Sequence, residues 1–133
     1  VLEQIVRHIG SADTDLLQQA VWAAGYIASD GAPLRDGLVN AGALPLVAAV
    51  VDDGTRGIAV TRTACWALSS LCRGKPPVAI DAIKPVIPTL VRTLRQFGHA
   101  VDGDEVGALI DTLLACSNLC EQKEGIELIV TCG

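Results

Sequence analysis

The sequence contains no methionine and only four aromatic side chains, Trp22, Tyr26, Trp66 and Phe97. A core with so few rings must be filled by Leu, Val, Ile and Ala, a composition that suits packed helices better than a β-sandwich. Positive charge is also scarce: ten Lys and Arg stand against fifteen Asp and Glu, for a net charge of −5. An acidic surface repels nucleic acid and anionic membranes and favours basic partners, so neither a nucleic-acid nor a membrane partner is expected. No apolar run approaches the ~18 residues of a membrane span, and no signal peptide is visible. The helical pattern is already under way at Val1, so the sequence reads as a fragment of a longer array, and missing targeting signals mean little. Histidine is limited to His8 and His99, neither close to Cys116 and Cys120, whose spacing of four on one helix face would otherwise suit a metal. The five cysteines therefore read as reduced thiols of a cytosolic or nuclear protein, with Cys116 and Cys120 assigned to core packing and no metal or cofactor expected.

What is present is periodic. "LEQIVRHI" and "LLQQAVWAAGYIASD" read as helices separated by the N-cap residues "SADTD", the second stopped by Gly31. "PLRDGLVNAG" is a short helix and "ALPLVAAVVDDG" a medium one with Pro45 in its first turn. "IAVTRTACWALSSLCRG" is a long one ended by Gly74. The order then recurs as short "AIDAI", medium "KPVIPTLVRTLRQFG" and long "EVGALIDTLLACSNLCE", and "KEGIELIVTCG" begins another unit. Trp22 and Trp66 lie 44 positions apart, and Trp66 and Leu114 lie 48 apart, the extra residues falling in "GHAVDGDE". Three helices per unit with a period in the forties predict an all-α fold, a right-handed α-solenoid of about three armadillo-type repeats with partial ends. The expected divisions are 1–30, 32–74, 77–121 and the start of a further unit at 123–133.

On a wheel of ~100° per residue, Thr61, Ala64, Cys65, Leu68, Leu71 and Cys72 form the core face of the "ACWALSSLC" helix. Arg62, Thr63, Trp66, Ser69, Ser70 and Arg73 fall opposite. The first long helix repeats this, with Gln18, Gln19, Trp22, Tyr26 and Ser29 opposite its apolar face; in the third, Leu109, Leu113, Cys116, Leu119 and Cys120 are expected inward and Asp111, Leu114, Ser117, Asn118 and Glu121 outward. Stacked long helices line one continuous surface, so Trp22, Trp66 and Leu114 are predicted to form a ladder on it. Rungs ~8–10 Å apart meet side chains two or three residues apart on an extended peptide rising ~3.3 Å per residue. A Lys or Arg stem fits between rungs, and its cationic head is drawn to the indole face. On this reading Trp66 lies opposite the core, and its removal is expected to leave thermal stability nearly unchanged.

"AVWAAGYIASDG" and "ACWALSSLCRGKPP…PVIPTLVRTL" resemble the third and fourth armadillo repeats of the importin-α family of nuclear-import adaptors, and "DTLLACSNLCE" then resembles the fifth. The resemblance runs through essentially the whole chain. It implies binding of basic nuclear localisation signals: Trp22 and Trp66 would sandwich Lys/Arg stems, and Asp30 would accept the central Lys. Gln19, Thr63 and Asp111, each three residues before a rung, stand where the family has its polar wall. The family pattern places Asn four residues after each Trp; here those positions hold Tyr26 and Ser70, while Asn118 follows Leu114, which replaces a Trp. The chain thus resembles a divergent member. Importin-β would be engaged through regions absent from this sequence, and localisation would be shared between cytoplasm and nucleus. The rival reading is a general armadillo interaction scaffold with a degenerate groove. "CRGKPP" lacks the further Gly and the Ser/Thr of a phosphate loop, "DGDE" reads as a solvated turn, and no Ser–His–Asp or Cys–His set converges, so no enzymatic activity is expected.

Overall fold

The computed structural model describes residues 1–132, which fold into helices joined by short turns, with no strand among them. The helices are α1 (Leu2–Ile9), α2 (Thr14–Asp30), α3 (Ala32–Asn40), α4 (Ala43–Asp52), α5 (Ile58–Leu71), α6 (Ile80–Ile83), α7 (Ile87–Phe97), α8 (Gly103–Leu119) and α9 (Lys123–Cys132). Local sequence sets their ends. The Asp13 carboxylate accepts from the Leu16 amide at 3.1 Å and caps α2. Gly42, at φ 94°, turns the chain from α3 into α4, and these two helices meet at 75°. The predicted medium helix at "KPVIPTLVRTLRQFG" starts later than expected: Lys84–Val86 form a 3-10 turn and α7 begins at Ile87. Pro85 and Pro88 explain the shift, because neither can donate the amide hydrogen bond that a continuous helix would need there.

The long helices α2, α5 and α8 pack side by side in one row, and α1, α4 and α7 pack in a second row behind them, giving an α-solenoid. Between the rows lies a core of small and medium aliphatic side chains, including Leu17, Val21, Leu44, Val47, Leu68, Leu71, Leu90 and Leu119. No single helix is long and apolar enough to cross a membrane among the described residues.

Two parts of the wheel reading are corrected. Thr63, Ser69 and Ser70 are buried rather than facing solvent, because α5 is covered by α2 on one flank and α8 on the other. Short hydroxyl residues tolerate this position by bonding back to their own helix: Thr63 Oγ1 donates to the Ala59 carbonyl at 2.9 Å and Ser69 Oγ to the Trp66 carbonyl at 2.6 Å. Leu113 and Cys120, expected inward, are exposed, since α8 has a long helix on one flank only within this chain.

Two arginine side chains clamp turns far from them in sequence. Arg56 donates to the Ser11 and Ala12 carbonyls and to Thr14 Oγ1 in the α1–α2 turn. The fully buried Arg35 of α3 donates to the Arg73 and Pro76 carbonyls that follow α5. Burial pushes the Cys65 and Cys116 thiols up to about 11 and the Cys72 thiol to about 12, so all three stay protonated and unreactive near neutral pH. Native alkylation with iodoacetamide is therefore expected to modify Cys120 and Cys132, both exposed, and to spare the other three until the protein is unfolded. Mass spectrometry of the digested protein reads this directly, and early modification of Cys65 or Cys72 would contradict the packing described.

Candidate binding groove

Along the row of long helices runs an open trough of about 510 Å³. Helix α2 contributes Gln18 and Trp22, α5 contributes Ala59, Arg62, Thr63 and Trp66, and α8 contributes Asp104 and Asp111. The spacing explains the set: Gln18 and Trp22, like Arg62 and Trp66, stand four apart and so share one helical stripe. Residues on that stripe point between the flanks that the neighbouring helices cover.

The two indoles differ in environment. Trp22 is 39% exposed and free to present its ring to a ligand. Trp66 is only partly exposed and packs against the hydrophobic core. Its six-membered ring lies over Gly25 of α2, where any Cβ would overlap it. Tyr26 stacks edge-on against the same indole, with centroids 4.9 Å apart and planes at 63°. Trp66 is therefore at once a wall of the trough and a strut between α2 and α5, so the expectation that its loss leaves stability untouched is withdrawn.

Charge is concentrated at the α8 side. Arg62 Nη1 donates to Asp104 Oδ1 at 2.9 Å across 42 positions of sequence. Partial burial raises the Asp111 carboxyl above its ordinary value, and the nearby Arg62 guanidinium offsets only part of that rise. At the α2–α5 seam, Gln18 Nε2 donates to Thr63 Oγ1 at 3.4 Å.

Of the residues singled out from the sequence, Trp22, Trp66, Thr63 and Asp111 come together in the trough. Gln19 is exposed outside it, and Gln18 takes the lining position instead. Asp30 is exposed at the end of α2 and also outside the trough. Leu114 is exposed on α8, outside the same lining. Ser70 is buried, with the Ser29 hydroxyl donating to its own at 3.3 Å, so it is closed off from any ligand. Asn118 Nδ2 donates to the Ser69 carbonyl at 3.3 Å, which spends one amide hydrogen on α5. Gln18 and Arg62, expected on the faces of Trp22 and Trp66 but not singled out as binding residues, line the trough, and Ala59 and Asp104 were missed altogether. The usable signal was the position four residues before each Trp, which yields Gln18 and Arg62 directly.

Comparison with known proteins gives a consistent picture. Importin subunit alpha-5 of Arabidopsis thaliana is 35% identical over 127 residues, 94% of this chain and 23% of that protein. Importin subunit alpha-8 of the same plant is 35% identical over 124 residues, 92% of this chain and 25% of that protein. Importin subunit alpha-1a of Oryza sativa subsp. japonica is 36% identical over 104 residues, 78% of this chain and 20% of that protein. The chain thus spans a quarter or less of the length of these relatives. No family model matches the chain. Among solved structures, a designed armadillo repeat protein in complex with the peptide (KR)4 superposes with a TM-score of 0.79 at 24% identity, covering 99% of this chain and 52% of that one. A second designed armadillo repeat protein superposes with a TM-score of 0.78 at 23% identity, covering 100% of this chain and 53% of that one. In fold these are armadillo solenoids, and in sequence the long matches are to importin-α subunits. This chain is an armadillo-type α-solenoid whose sequence is similar to importin-α subunits over most of its length.

Proposed function

We propose that this chain binds basic peptides, nuclear localisation signals among them, in extended form along the row of long helices, as an adaptor in nuclear import rather than an enzyme. The observation that carries this reading is the trough itself: two indoles on adjacent helices, with the carboxylates of Asp104 and Asp111 on the third. A Lys or Arg stem laid between Trp22 and Trp66 buries its methylenes against the rings, and its head meets the indole face and the acids beyond. The importin-α relatives and the designed solenoid holding (KR)4 support a cationic peptide as the occupant. Asp30, exposed at the end of α2, is proposed as a further Lys acceptor on the same surface. Gln19, Tyr26, Leu114 and Asn118 are proposed to border the ligand, whereas Ser70 is set aside because it is buried. Importin-β is proposed to act through regions outside this sequence, and the adaptor to pass between cytoplasm and nucleus.

Trp22 offers the cleanest test, since it is the more exposed of the two rungs. Trp22→Ala is expected to weaken (KR)4 by ~1–3 kcal/mol, as for a ring desolvated at the centre of an interface. The urea midpoint is expected to stay close to that of the parent protein. Unchanged affinity by calorimetry would remove the trough as the binding site.

A further inference from the structure

The trough already contains a cation of its own. Arg62 lies across Gly107 of α8, where any Cβ would overlap its Nε and Cζ, and its guanidinium is paired with Asp104. The same guanidinium acts on Asp111, the second carboxylate of the trough. Both acids that would receive a ligand's charge are therefore already facing an arginine held by the chain itself. Glycine at position 107 lets this side chain lie against the neighbouring helix in the place a Cβ would take.

We infer that Arg62 is an internal occupant of the acidic end of the groove, a specificity-setting residue that a basic ligand must displace from Asp104 and Gly107 before its own cation can bind there. This rests on the proposed binding of basic peptides. Two consequences follow from charge and shape. An approaching Lys or Arg meets like-charge repulsion from Arg62 until that side chain swings away, so isolated cations bind poorly. A ligand with several adjacent cations gains enough from the remaining contacts to drive the exchange. Arg62 is half-exposed and bound by one ion pair, so the exchange needs a side-chain rotation and no movement of the helices.

The test is calorimetric titration of (KR)4 into the parent chain and three variants at low salt. Arg62→Gln removes the internal cation. Arg92→Gln makes the same charge change on α7, where Arg92 pairs with Asp52 away from the groove. Gly107→Ala keeps every charge but lifts the guanidinium off α8, and it remains informative if Arg62→Gln folds poorly. Arg62→Gln is expected to tighten (KR)4 about five- to tenfold, Gly107→Ala to tighten it by a smaller factor, and Arg92→Gln to change it less than about twofold. Binding by Arg62→Gln alone, with none by the parent chain, would also support the inference, as complete self-occupation. Equal tightening by Arg62→Gln and Arg92→Gln would overturn it in favour of a general field effect, with the peptide site still standing. An unchanged or weaker affinity in both Arg62→Gln and Gly107→Ala, with the parent chain binding, would overturn it as well. Absence of binding in every form would remove the peptide site and the inference together.

Discussion

Replacing Arg35 with methionine is expected to cost about 2–4 kcal/mol of stability, the largest loss from any single substitution considered for this chain. Arg35 is 0% exposed, which is unusual for the one side chain type that cannot shed its charge. It is tolerated because its fork is satisfied: Nη1 donates to the Arg73 carbonyl at 2.9 Å, Nη2 to the Pro76 carbonyl at 2.6 Å, and Nε and Nη2 to Asp36 Oδ1 at 3.0 and 2.9 Å. These bonds tie the segment after α5 to the preceding short helix. Methionine keeps the apolar stem but makes none of them. Lysine keeps the charge but lacks a planar fork, so Arg35→Lys is expected to recover only part of the loss. Arg92→Met provides the contrast: its ion pair with Asp52 is exposed, and its removal is expected to cost less than ~1 kcal/mol. Urea denaturation followed by circular dichroism reads all three. Equal midpoints for Arg35→Met and Arg92→Met would show that the loop clamp contributes nothing to the fold.

Trp66→Ala is expected to lower stability and binding together. The ring lies over Gly25, is abutted by Tyr26 and packs on the core, so its removal opens a gap between α2 and α5. Full burial of a Trp would put the loss at ~3–5 kcal/mol, and partial exposure brings it to about 2 kcal/mol. The same substitution removes one wall of the trough, so the affinity for (KR)4 is expected to fall by at least as much as for Trp22→Ala. The contrast between the two rungs is the informative part. Trp22→Ala should alter binding alone, and Trp66→Ala should alter both. An unchanged urea midpoint for Trp66→Ala would mean that the ring does not brace the two helices.

The repeat was legible in the sequence because its signals are local. Gly31 stops α2, Pro45 sits in a first turn, and the Trp-centred segments recur at 44 and 48 positions. The two Trp rungs could be read for the same reason, since periodicity within one helix fixes which residues share a stripe. What stayed hidden depends on contacts between helices. A two-faced wheel has no place for the flanks of α5, so Thr63, Ser69 and Ser70 were expected in solvent when α2 and α8 cover them. The Arg62–Asp104 pair spans 42 positions, and its existence depends on the register of α8 against α5, which no single-helix pattern encodes. Arg35 gave no sign of burial either, because a lone arginine in a short helix looks the same whether its partners are water or two carbonyls of a distant loop.

The presence of only two tryptophans allows the central claim to be tested at single-residue level, since each contributes one indole N–H signal in a two-dimensional nitrogen–proton spectrum. With (KR)4 added stepwise, both signals are expected to shift saturably and along the same binding curve, and a glutamate-rich peptide of equal length is expected to move neither. Raising the salt concentration should shift the (KR)4 midpoint to higher peptide concentration. If (KR)4 binds with both indole signals unmoved, or if the acidic peptide moves them equally, the Trp22–Trp66 trough is not a site for cationic side chains.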